Sequence, residues 1–169
     1  MFAGGCFWCM QVPFDQQTGV ISTQAGYSGG TKENPTYEET SAGKTGHREA
    51  VEVTYDPAQV SYEKLLEIFW TNVDPYDAVG QFCDKGEQYT SAAFYTDDTE
   101  KKAFETSKEN LVKSGRLKGT IATLSLPAKP FYKAEEYHQN YYKKNPIRYK
   151  YYRSRCGRDN RLKEVWKTK

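Results

Sequence analysis

Two stretches of this 169-residue chain, 20–27 and 48–55, alternate β-branched and polar side chains with the period of a strand. The segment between them, 28–46, holds Gly29-Gly30, Asn34-Pro35 and Gly43. That is loop chemistry with space for at most one short turn of helix. Neighbouring strands with no helix between them argue against a strictly alternating parallel sheet. Around this pair the pattern predicts a strand stub at Phe2-Ala3 and a helix over 7–16 that Pro13 kinks or shortens. A helix follows Ser61 through Trp70, then a strand over 92–95 and a helix over 99–114 stopped by Gly115. A strand over 121–126, a helix over 134–144 ended near Pro146, and a short helix over 161–166 complete the order. Segment 72–89 has few periodic cues. The expected fold is α+β: a two-layer sandwich of a mixed, mainly antiparallel sheet with flanking helices and a ferredoxin-like core.

The length suits a single catalytic domain, 1–169. Its 14 Tyr, 8 Phe and 3 Trp can build a core despite a modest aliphatic content. A formal net charge of +2 excludes a strongly cationic nucleic-acid sponge and an acidic tail. Charge is nonetheless uneven: residues 129–169 carry 13 Lys and Arg against 4 Asp and Glu. This basic, Tyr-rich segment is expected to wrap back on the more acidic body. Tyr137, Tyr141, Tyr142, Tyr149, Tyr151 and Tyr152 could stack nucleobases, but no nucleic-acid motif accompanies them, so core and rim is the preferred reading. No apolar run approaches the roughly 18 residues of a membrane span. The first residues show no basic or apolar leader region, so a cytoplasmic monomer is expected.

Four cysteines are too sparse for a disulfide scaffold. Cys6 and Cys9 stand in Gly4-Gly5-Cys6-Phe7-Trp8-Cys9, where two glycines lead from a strand stub into a helix. A helix N-terminus favours an anion, so the placement predicts a lowered pKa at Cys6. Cys9 lies one helical turn on, on the same face. A metal site is disfavoured, because Cys83, Cys156, His47 and His138 are scattered singly. A thioredoxin-like dithiol enzyme is the serious alternative.

The Gly4–Cys9 turn resembles the signature of the A-type peptide-methionine sulfoxide reductases, which reduce the (S)-epimer. Gly26-Tyr27-Ser28-Gly29-Gly30, Asn34-Pro35-Thr36-Tyr37, Thr45-Gly46-His47-Arg48-Glu49-Ala50-Val51, Gln88-Tyr89-Thr90-Ser91 and Glu136-Tyr137-His138-Gln139 match family segments in order. The resemblance covers essentially the whole chain. It implies Cys6 as nucleophile, Glu49 as acid, Tyr37 and Tyr89 as hydrogen-bond donors to the sulfoxide oxygen, and Asp84 as an orienting carboxylate. Phe7 and Trp8 would receive the S-methyl group. A Cys6 sulfenic acid would form, then an intramolecular disulfide reduced by an external thiol such as thioredoxin, with no metal or organic cofactor. Two cysteines could resolve the sulfenic acid, Cys156 and Cys9. Cys156 is the preferred choice, Cys9 would pass the disulfide onward, and Cys83 is expected to be a bystander.

Overall fold

The computed structural model describes residues 1–167. The chain runs β1 (Phe2–Ala3), α1 (Phe7–Asp15), β2 (Val20–Ser28), α2 (Tyr37–Ser41), β3 (Arg48–Tyr55) and α3 (Tyr62–Thr71). A hairpin of β4 (Gly80–Gln81) and β5 (Asp84–Lys85) follows, then β6 (Ala92–Tyr95), α4 (Asp98–Lys113), β7 (Leu124–Pro127) and β8 (Tyr132–Lys133). The last helices are α5 (Tyr141–Lys144), α6 (Pro146–Arg155) and α7 (Arg158–Trp166). The six-stranded sheet has the order β7-β6-β1-β3-β2-β8. Only the β6–β7 pairing is parallel among the described strands.

The two-residue β1 lies inside the sheet, with Phe2 opposite Val51 on one side and Ala93 on the other. Its short length suffices because the Phe2 ring is the centre of an aromatic core. It stacks on Phe14 of α1 at 5.0 Å and on Phe69 of α3 at 5.4 Å. Burying each such side chain contributes about 1.5–3 kcal/mol. On α3, Leu65, Leu66, Phe69 and Trp70 form the buried face, and Ser61 caps the helix by accepting from Lys64 N at 3.2 Å. Asp97 caps α4 in the same way, which fixes its start at Asp98.

Several expectations shift at the C-terminal side. The helix expected over 134–144 is broken: a single 3-10 turn, Glu136–His138, is separated from α5 by Asn140 at φ 52°. Pro146 opens α6 instead of ending a helix, since the first helical position needs no N–H. The strand expected over 121–126 begins only at Leu124, and α7 begins at Arg158. The β4–β5 hairpin in the featureless 72–89 segment is anchored by the buried Gln81. Its amide accepts from Asp74 N at 2.8 Å and donates to Asp74 O at 2.7 Å.

The basic C-terminal segment packs on the body. The Gln139 side chain exchanges two hydrogen bonds with the Ala25 backbone, at 2.9 and 2.8 Å. Trp166 Nε1 donates to Val73 O at 3.0 Å, and Arg161 bonds Asp74 at 2.6 Å. These contacts carry α6 and α7 back over the Cys6 turn.

Candidate active site

Gly4 and Gly5 turn the chain from β1 into α1. Gly5 has φ +81°, and a Cβ there would meet Gln81 Cβ at 2.7 Å, so only glycine fits. Cys6 is the N-cap residue, and its carbonyl accepts from Cys9 N at 3.0 Å. The next N–H, that of Phe7, donates to Glu49 Oε2 at 3.0 Å. The β2–β3 ladder aligns Glu49 with Tyr27 and turns its carboxyl inward, where it is 3% exposed. An ordinary strand glutamate would face water. Burial pushes Glu49 up to about 8, and the Phe7 N–H only partly offsets it. The group is therefore a carboxylic acid at neutral pH.

A cavity of about 230 Å³ is lined by Cys6, Phe7, Trp8, Tyr37, Glu49, Asp84, Tyr89 and Tyr152. Seven of these are residues singled out in the sequence. Trp8 is held in place on two sides: its ring stacks on Tyr141 at 3.8 Å and its Nε1 donates to His138 Nδ1 at 3.0 Å. Tyr37 opens α2, whose Thr36–Glu39 capping box fixes the helix start, and its N–H donates to Glu135 at 3.1 Å. Tyr89 ends a 3-10 turn that begins after Gly86, at φ 128°. Burial and the nearby Glu49 push Tyr37 up to about 12, and the same causes raise Tyr89. Both hydroxyls stay protonated and can donate. Asp84 comes from β5. Burial raises its pKa, while the hydroxyl of Tyr152, which donates to Oδ2, favours the carboxylate.

The cysteines divide into two pairs. Cys6 and Cys9 are free and buried, one helical turn apart. The expectation of a lowered pKa at Cys6 is corrected. Burial and the neighbouring Cys9 raise Cys6, whereas the neighbouring Cys6 lowers Cys9. The two thiols titrate together, so the first proton lost belongs to the pair. The second pair, Cys83 and Cys156, is a disulfide. Cys83 is thus no bystander, and Cys156 is bonded to it and not to Cys6. The bond lies just behind the cavity wall: Cys156 Sγ is 3.9 Å from Asp84 Oδ2 and 4.0 Å from the Tyr152 hydroxyl. Cys83, Asp84 and Cys156 bring three metal-ligating atoms within 4.8 Å, but the disulfide occupies both sulfurs.

Neither the place of Tyr152 in the cavity wall nor the pairing of Cys83 is signalled by the sequence. Tyr152 was one of many tyrosines on a basic segment. The pairing of Cys83 with Cys156 spans 73 residues, which spacing does not reveal. His47 is structural: its ring bonds the Gly30 N–H at 3.0 Å and the Lys32 carbonyl at 2.7 Å.

A buried thiol lining a pocket with a protonated acid and two hydroxyl donors, with a second thiol one helical turn away, defines a cysteine-based oxidoreductase. The family model "Peptide methionine sulfoxide reductase" matches residues 1–169. The chain is 54% identical over 165 residues to peptide methionine sulfoxide reductase MsrA of Bacillus licheniformis, covering 98% of this chain and 91% of the relative. It is 53% identical over 168 residues to MsrA of Bacillus subtilis, covering 99% and 95%. Among solved structures it is similar to reduced Mxr1 of Saccharomyces cerevisiae, with TM-score 0.79, 32% identity and coverage of 86% and 84%. Methionine sulfoxide reductase A of Corynebacterium diphtheriae gives TM-score 0.74 at 36% identity, with coverage of 86% and 74%. The chain belongs to the peptide methionine sulfoxide reductase A family, and its chemistry is thiol-dependent reduction of methionine sulfoxide.

Proposed function

We propose that this enzyme reduces the (S)-epimer of methionine sulfoxide, free and in peptides and proteins, in repair of oxidative damage. The observation that carries the reading is the protonated Glu49 in one cavity with Cys6, Tyr37 and Tyr89. Phe7 and Trp8 receive the S-methyl group, for which an aromatic wall is suited. Tyr37 and Tyr89 donate to the sulfoxide oxygen, and Asp84 orients the neighbouring groups.

The Cys6 proton passes to the Cys9 thiolate, and the Cys6 thiolate attacks the sulfoxide sulfur. Glu49 gives its proton to the departing oxygen. The oxygen moves to Cys6, so methionine leaves reduced by two electrons and Cys6 becomes a sulfenic acid. Cys9, one helical turn from Cys6, then attacks the sulfenic sulfur while its proton goes to the leaving hydroxyl, forming Cys6–Cys9 and releasing water. The one-turn spacing of Cys6 and Cys9, with Cys156 bonded to Cys83, favours Cys9 over Cys156 for this step. With Cys83 and Cys156 reduced, thiol–disulfide exchange moves the bond to that pair and restores both buried thiols. An external dithiol such as thioredoxin reduces the exposed bond. This reading needs no metal or organic cofactor and suits a cytoplasmic monomer working as one domain, 1–169. The strand order β6-β1-β3-β2 with α1 and α3 supports a ferredoxin-like two-layer core.

The test supplies each sulfoxide epimer separately with dithiothreitol. The (S)-form alone should be turned over. Equal rates for both epimers, or turnover of the (R)-form only, would overturn the proposal.

A further inference from the structure

Arg158 opens α7, and its side chain is 2% exposed. Its Nη2 donates to Asn72 O at 2.6 Å, Gly4 O at 3.2 Å and Met10 Sδ at 3.0 Å. Its Nη1 is 3.7 Å from where a Gly5 Cβ would stand. The guanidinium carbon lies 4.5 Å from the centre of the Phe82 ring. All the oxygen partners are neutral carbonyls, and Nε has no partner. No described carboxylate lies within ion-pair distance, whereas Arg153 is paired with Asp159 and Arg161 with Asp74. A buried cation without a partner is costly. Stability of the turn alone does not require one, because neutral donors could bond the same carbonyls.

The groups facing the guanidinium supply a reason. It sits beneath the Gly4–Gly5 turn, directly before Cys6. The charged and titratable groups around the cysteine pair are Glu49, Asp84, Tyr37, Tyr89, Tyr149, Tyr152, Arg153 and Arg158. Glu49 is uncharged at neutral pH, and the Arg153 charge is offset by Asp159. Arg158 is the described cation near the pair whose charge no ion pair offsets. Its bonds to Gly4 O and Met10 Sδ place the guanidinium beside the residues that flank both cysteines, where a positive charge favours a thiolate over a thiol.

We propose that Arg158 is a positioning residue for the cysteine pair: its buried guanidinium fixes the Gly4–Gly5 turn and supplies the counter-charge for the thiolate. The role rests on the reading of Cys6 and Cys9 as the reacting pair. It also explains why the C-terminal helix reaches the site without lining the cavity. The disulfide brackets the arrangement, since Phe82 precedes Cys83 and Arg158 lies two residues after Cys156.

The experiment measures the pH dependence of iodoacetamide alkylation at Cys6 and Cys9 by mass spectrometry, with the Cys83–Cys156 bond intact. It requires no sulfoxide, so it can fail or succeed independently of the proposed reaction. Arg158→Met and Arg158→Gln should move the alkylation midpoint up by about one pH unit, a tenfold loss of thiolate below it. Arg158→Lys keeps the charge and should stay within about half a unit. An unchanged midpoint in the folded neutral variants overturns the proposal. Should both neutral variants fail to fold, the lysine variant decides: retention of the midpoint supports the charge role, and a full-unit rise overturns it.

Discussion

The backbone N–H of Phe7 donates to Glu49 Oε2 across 3.0 Å, joining the first turn of α1 to the middle strand pair of the sheet. One hydrogen bond therefore sets the distance between the nucleophile's helix and the acid. It leaves the other carboxyl oxygen to hold the proton. Glu49→Gln keeps an acceptor for Phe7 but has no proton to give. Its sulfoxide reduction rate should fall by about 10²–10⁴ in single-turnover kinetics.

The same substitution should stabilise the fold. The folded-state pKa of Glu49 is about 8 against an ordinary 4.5. A raised carboxyl pKa gives stability that is full below about pH 4.5 and is lost as pH rises toward 8. Glu49→Gln removes this loss. Urea unfolding at pH 8 should show a gain on the order of 1–3 kcal/mol, vanishing near pH 4.

Activity should follow a bell with pH. The cysteine pair must carry its negative charge, and Cys9 titrates at about 6. Glu49 must keep its proton, with a pKa of about 8. The kcat/KM profile should rise near pH 6 and fall near pH 8. Persistence of full activity at pH 10 would contradict the acid role.

The two cysteine pairs predict a stoichiometry. Fully reduced enzyme, freed of reductant, should form about two methionines per chain, ending with both disulfides. Cys83→Ser or Cys156→Ser should give about one, with Cys6–Cys9 found by disulfide mapping. A yield of two from either variant would show that the outer pair supplies no electrons to Cys6–Cys9.

Gly5→Ala tests the turn. A methyl at φ +81° and 2.7 Å from Gln81 Cβ must displace either the hairpin or Cys6. Thermal unfolding should show a loss of about 1–2 kcal/mol or more, accompanied by lower activity.

The Gly-Gly-Cys turn, the period-two strands and the Ser61 cap are local features, so residue order alone specified them. The resemblance carried by the motifs also picked out Cys6, Phe7, Trp8, Tyr37, Glu49, Asp84 and Tyr89, which the cavity brings together. Glu49 nevertheless reads as a solvent-facing strand residue until β3 is placed under α1. Its acid character comes from burial, which depends on the whole sheet. The cysteine roles were legible only in part for the same reason. Spacing puts Cys9 near Cys6, but the Cys83–Cys156 bond joins a hairpin to the end of α6, 73 residues apart. Arg158 and Tyr152 sit in a basic, Tyr-rich segment whose composition suggests that it wraps the body but not which of its side chains reach the cysteines. Long-range packing of α6 and α7 on the Cys6 turn decided that these two face inward, because the field at a thiol depends on three-dimensional neighbours and not on sequence distance.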